Sequence, residues 1–149
     1  RAPRADGTIG RSIAPDSVDL ETLFADAMAK YKGLSLYAEW MRRNADRAFA
    51  TATSGPRMIY AGEGTLLQAG YMVGPKTETV LRYARITPKR AIESSADRTQ
   101  QSTLGMNHYL RGHRFKIQYD LTYERTIRRH RTESSTKDLL ARFQIEIGI

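Results

Sequence analysis

The residues best placed to act together are charged ones at matched spacing. Glu78 and Arg82 are four apart, and Glu39 and Arg43 repeat the arrangement. In an extended segment such a pair shares one face, roughly 13 Å apart. Lys116, Asp120, Arg142 and Glu146 fall on the corresponding face of later segments. Acid and base along one wall can set a transverse field that orients a passing solute. They can equally form cross-strand ion pairs on a solvated surface. For a wall that lines water the two readings nearly coincide. Catalytic chemistry has little support. His108, His113 and His130 are the three histidines, and none has paired or i, i+4 metal spacing. Their plainer role is interfacial or solvated. Cysteine is absent, so there is no thiolate ligand or nucleophile. Ser54-Gly55-Pro56 lacks a phosphate-cradling spacing. The chain is expected to be no enzyme and to hold neither metal nor cofactor.

The elements that carry these charges read as strands. Leu139, Ala141, Phe143, Ile145, Ile147 and Ile149 alternate with residues such as Arg142, Gln144 and Glu146. One face is apolar and the other polar. Phe115, Ile117, Tyr119, Leu121 and Tyr123 oppose Lys116, Gln118, Asp120, Thr122 and Glu124, the cleanest alternation in the chain. Similar segments run over 103–110, 78–86, 65–73 and 34–43. Asp19 to Tyr31 places Leu23, Ala25, Ala27, Ala29 and Tyr31 on one face, although its alanines also permit a helix. Short turns are expected at Lys32-Gly33, Gly74-Pro75-Lys76 and Arg111-Gly112-His113. Long loops are expected at Ala48–Gly64, Thr87–Ser102 and Arg125–Lys137.

About seven strands joined by alternating short and long connections match a transmembrane β-barrel of the bacterial outer membrane. In such a barrel the short turns are periplasmic and the long loops extracellular. Leu36, Trp40, Ile117, Leu121, Phe143 and Ile147 are then expected to face lipid. Glu39, Arg43, Glu78, Arg82, Lys116, Asp120, Arg142 and Glu146 are expected to line the pore. Tyr31, Trp40, Tyr71, Tyr83, Phe115 and Tyr123 share the apolar faces, several near strand ends, as interfacial girdles require.

The 149 residues include 24 Lys and Arg against 16 Asp and Glu, a net charge of +8. That balance alone also fits a soluble basic nucleic-acid module. The distribution argues against it: Arg125, Arg128, Arg129 and Arg131 cluster in an expected loop, and no basic helix face or RNA-recognition motif is present. No apolar run approaches the roughly 20 residues of a spanning helix. The chain opens at Arg1-Ala2-Pro3-Arg4 without methionine. Residues 1–18 read as an extracellular or cleaved loop, and 19–149 as the C-terminal part of the barrel. Bacterial single-chain barrels have even strand numbers. The expectation is therefore that the first and last strands pair with strands outside these residues.

Several stretches also resemble a known family in unbroken order from about Asp19 onward. They are Tyr31-Lys32-Gly33-Leu34-Ser35-Leu36-Tyr37-Ala38-Glu39-Trp40, then Gln68-Ala69-Gly70-Tyr71, then Glu78 with Arg82-Tyr83-Ala84. Leu104-Gly105-Met106-Asn107-His108-Tyr109-Leu110 and Lys116-Ile117-Gln118-Tyr119-Asp120 follow. The set resembles the C-terminal part of the phosphate-selective porin O and P family. The resemblance implies an antiparallel, sixteen-stranded barrel, usually a homotrimer. It implies passive diffusion of small anions such as phosphate, with outer-membrane lipid as surroundings and no nucleic-acid partner. Two departures stand out. Ile149 ends the chain where such barrels usually end in an aromatic, and Phe143 is the nearest one. The family's anion-selective constriction comes mostly from the earlier part of the barrel, so phosphate selectivity transfers to no residue here. Two other readings stay open: a barrel subunit that scaffolds an envelope complex without conducting, and a soluble all-β binding module.

Overall fold

The computed structural model describes residues 18–50, 57–92, 95–110, 115–128 and 134–148. Among these residues nine strands are formed: β1 (Leu20–Tyr31), β2 (Leu34–Ala45), β3 (Phe49–Ala50), β4 (Arg57–Met58), β5 (Gly62–Gly74), β6 (Thr77–Pro88), β7 (Arg98–Tyr109), β8 (Phe115–Arg128) and β9 (Ser134–Ile147). Seven of them make one antiparallel sheet in the order β1-β2-β5-β6-β7-β8-β9. The sheet is open. β1 and β9 are its edges, each with one neighbour among the described residues. β3 and β4 form a separate small hairpin in the connection between β2 and β5. A 3-10 turn, Arg90–Ile92, lies between β6 and β7. No helix among the described residues is long and apolar enough to cross a membrane, which bears on helices only.

The expected all-β character and the seven long strands are present. β1 is a strand along its whole length despite its alanines. Twelve consecutive positions pair with β2, and that ladder outweighs local helix propensity. The long connections are shorter than expected. β5 starts at Gly62, β7 at Arg98 and β9 at Ser134, while β8 runs on to Arg128. Arg125, Arg128 and Lys137 therefore belong to strands and not to a loop. The reason is that ladder bonds join backbone groups, so pairing continues where apolar alternation has already ended. Residues 1–17, Ser54-Gly55-Pro56, Arg111-Gly112-His113, Arg129, His130, Arg131 and Ile149 lie outside the described residues.

Two short turns follow from local chemistry. Lys32 and Gly33 both have positive φ, 45° and 84°. That pair of values makes a type I′ turn, whose twist matches the flanking strands. Pro75 and Lys76 link β5 to β6, with a register shift between Met72 and Gly74 that leaves Val73 as a bulge.

Packing is thin. Among the described residues the buried hydrophobic ones are Ala50, Ala61 and Ile92, at 3%, 7% and 1% exposure, and all three sit in or beside the long connections. The sheet itself has no second layer among the described residues. Leu36, Leu67, Leu81, Leu104, Leu121 and Phe143 are exposed on one side of it. Six strand spacings by nine residues give an apolar face of about 800 Å² in projection. The largest apolar patch on a typical soluble monomer is about 300–600 Å². A single sheet buries too little to stand by itself in water.

Gly62 marks the tightest backbone approach. A Cβ there would meet the Thr87 carbonyl oxygen, and would stand 2.9 Å from Pro88 Cα. At Gly64 the nearest atom would be the Met41 methyl at 3.9 Å. Gly62→Ala should destabilise the protein by about 1–3 kcal/mol, while Gly64→Ala leaves it within about 0.5 kcal/mol. Denaturant midpoints of the two variants check this, and equal midpoints would contradict the close approach.

Candidate functional site: the polar face of the sheet

Register decides which side chains share a face. Reading across the sheet, Lys30, Ser35, Gly70, Val80, Gly105, Asp120 and Arg142 form one row. Met28, Tyr37, Gln68, Arg82, Thr103, Thr122 and Leu140 form the next. All eight charged residues singled out from the sequence fall on this side. Leu36, Trp40, Ile117, Leu121, Phe143 and Ile147 fall on the other. Because side chains alternate, a one-residue slip anywhere would have scattered both sets.

The structure joins four of the eight into cross-strand ion pairs. Lys116 Nζ lies 2.8 Å from Glu146 Oε2, and Arg142 Nε lies 3.1 Å from Asp120 Oδ1. In both cases the partners are directly opposed in register. Thr122, the buried polar residue in the middle of the wall, donates to Asp120 at 3.3 Å and contacts the Thr103 hydroxyl at 2.8 Å. The other four go to neutral partners. Tyr37 donates to Glu39 at 2.9 Å. Arg43 donates to Thr22 at 3.2 Å, and Arg82 to Gln68 at 2.8 Å. Neither Glu39 with Arg43 nor Glu78 with Arg82 forms an ion pair along its strand, in keeping with their spacing.

Glu78 is the most connected of the eight. Asn107 Nδ2 and Tyr109 OH donate to its Oε2 at 3.0 and 2.8 Å, and Ser35 Oγ donates to its Oε1 at 3.4 Å. Gln118 in turn donates to Asn107 at 2.8 Å. The network runs from β2 to β8. It exists because Gly70 of β5 lies between Ser35 and Glu78. A Cβ at that position would strike the Glu78 carboxylate and stand 2.5 Å from Ser35 Oγ. The absent side chain is a notch that lets the carboxylate cross a whole strand.

Sequence reasoning missed the way a connection folds over this face. Ile92 shares a cavity of about 510 Å³ with Met41, Gly64, Ile86 and Thr99, all at polar-face positions near the long connections. The β6–β7 connection thus leans over the polar side. Its signal was an isolated Ile92 opposite apolar residues at Met41 and Ile86, which break the expected alternation. Phe24 and Met28 also break it, beside the open β1 edge. His108, expected beside a turn on the apolar side, is there, with Nδ1 3.0 Å from the Thr77 hydroxyl. No group of three or more potential metal ligands occurs among the described residues.

Charge on the wall is balanced. Lys30, Arg43, Arg82, Lys116, Arg128 and Arg142 face Asp26, Glu39, Glu78, Asp120, Glu124, Asp138 and Glu146. The described strands hold no cationic excess on this face, although the whole chain carries +8. No protein-family model, no curated protein and no solved structure matches the chain. The site rests on its own geometry.

The two kinds of contact should differ in worth. The Arg142 and Asp120 side chains are 63% and 24% exposed, so solvent screens them, and a double-mutant cycle should give a coupling of about 0.2–1 kcal/mol. Glu78→Ala leaves three donors without their acceptor and should cost about 1–3 kcal/mol. Equilibrium unfolding of the variants in denaturant measures both. A larger loss at Arg142 than at Glu78 would overturn the ranking.

Proposed function

We propose that this chain forms part of the wall of an outer-membrane porin that lets small solutes diffuse passively. The single observation that carries the reading is the open sheet of seven strands with an uncharged, mainly apolar band across one face, a charged opposite face and no second layer among the described residues. Water suits only the charged face. Hydrocarbon suits the other, because it removes the apolar area from water without a protein layer. The strands are 12–14 residues long, enough for the 9–11 residues of a tilted membrane crossing. On β8 the apolar face is uncharged from Phe115 to Tyr123, about 27 Å along the strand. At a tilt of 35–45° that is about 20 Å in height, near the roughly 25 Å band of such barrels.

The open edges complete the argument. In hydrocarbon each unpaired backbone group costs several kcal/mol. β1 and β9 therefore pair with further strands, from another chain or another part of the same one, and the closed ring is the conducting unit. A balanced wall gives weak charge preference. The anion and phosphate preference implied by the family resemblance would have to come from the rest of the barrel. A soluble nucleic-acid module is disfavoured, since the solvated face carries as many carboxylates as cations. A non-conducting scaffold draws support from the connection that leans over the polar face near Ile92, so conductance is the deciding measurement. The assembled protein in a planar bilayer should open ion-permeable steps with a reversal potential close to zero under a salt gradient. Intact insertion without conductance would favour the scaffold.

Lipid contact has its own check. Ile145→Arg on the apolar face should cost about 2–4 kcal/mol if it meets mid-bilayer hydrocarbon. Gln144→Arg, one residue away and facing water, should be nearly silent. Equal losses on unfolding from lipid vesicles would rule out a one-sided membrane strand.

A further inference from the structure

The apolar face ends abruptly in positive charge. Beyond Tyr123 and Leu139, toward the long connections, Arg85 of β6, Arg125 of β8 and Lys137 of β9 lie in one register row. Gln100 of β7 separates Arg85 from Arg125, and Arg125 stands directly opposite Lys137. All three cations are exposed. The same row continues through Thr65, Trp40 and Ala25, so no carboxylate occupies it. Like charges directly opposed on adjacent strands destabilise a sheet. The contacts they do make are to neutral hydroxyls: Arg125 Nε donates to Ser135 at 3.3 Å and Arg85 Nε to Thr87 at 3.1 Å. The next row adds Arg98 and Arg42, the latter 3.6 Å from Glu63. Glu63 and Glu21 are the carboxylates on this face among the described strands, and they lie on β5 and β1, away from Arg125 and Lys137.

We propose that Arg85, Arg125 and Lys137 bind the phosphorylated headgroup of a membrane lipid. This deepens the porin reading and rests on it. The charge complementarity is specific to an amphiphile. A phosphate offers several acceptor oxygens to two or three cations at once, and it relieves the Arg125–Lys137 repulsion. Its acyl chains would lie on Tyr123, Leu121 and Leu139, directly below. Free phosphate would use the cations and ignore that surface. Each cation near an anionic membrane surface is worth about a fivefold gain in affinity, so three are worth about a hundredfold.

The test uses the protein as extracted from its membrane in neutral detergent. It is titrated with bicelles of phosphatidylcholine with and without phosphatidic acid, and with inorganic phosphate as competitor. Saturable, phosphatidic-acid-dependent binding is expected. It should weaken about a hundredfold in the R85Q/R125Q/K137Q variant and persist in Lys76→Gln, at the opposite end of the sheet. If the triple variant does not assemble, Lys137→Gln alone should weaken binding about fivefold. Unchanged binding in these variants overturns the proposal, as does equal binding to pure phosphatidylcholine. Full competition by inorganic phosphate at equal concentration would mark a soluble-anion site and overturn it too. A change in assembly mass with lipid binding unaltered would mean that an acidic protein surface covers the band. Failure of the Ile145→Arg and Gln144→Arg contrast would remove the membrane reading itself. If that contrast holds while the triple variant binds normally, only the headgroup site fails.

Discussion

Backbone hydrogen bonding between neighbouring strands is the interaction on which everything else in this protein depends. Among the described residues there is almost no hydrophobic interior to share the load. Three buried apolar residues at the connections cannot hold seven strands of 12–14 residues together. The ladder does, over ten to fourteen paired positions at each interface of the sheet. A structure held this way has two unmet requirements. Its edges present unpaired backbone groups, and its apolar face has no protein against it. The proposed closed ring in a bilayer would meet both.

The ladder also explains why the faces are so cleanly sorted. Each pairing transmits register to the next strand, so seven strands act as one pleated surface. Glu78 shows the reach of that order. Its carboxylate collects donors from β2 and β7 only because the pairing sets Gly70 between it and Ser35. The same order opposes Lys116 to Glu146 and Asp120 to Arg142. The wall therefore has fixed local charge but little net field. In the proposed pore a solute would meet alternating donors and acceptors and not a cationic throat.

Net charge by itself would have misled. The +8 of the chain suggests an anion-attracting lumen or a nucleic-acid surface. On the described strands the surplus lies elsewhere, at one end of the apolar face, where Arg85, Arg125 and Lys137 stand beyond the last uncharged row. In the proposed barrel, cations at the boundary of the apolar band would act on the surrounding membrane surface before they act on the pore. The balance within the wall and the excess outside it are separate facts, and only the second accounts for the basic character of the strands.

The sequence by itself determined the strands and their two faces. A two-residue period needs no partner to be read, and segments such as Phe115–Tyr123 carry it unmistakably. It also determined the tight turns, since Lys32-Gly33 and Gly74-Pro75 have strong conformational preferences of their own. Tertiary structure decided the rest. The alternation limits register to pairings that keep the faces together, but which residues stand opposite one another is chosen by long-range backbone pairing, whose groups are identical along the chain. For that reason the notch at Gly70, the choice of ion-pair partners and the lean of the Ile92 connection over the polar face were not legible beforehand, although Met41 and Ile86 already marked a break in the alternation. For the same reason Arg125 and Lys137 looked like loop residues. Once the apolar alternation ends, only the continuing ladder reveals that the strand, and with it the cationic row, goes on.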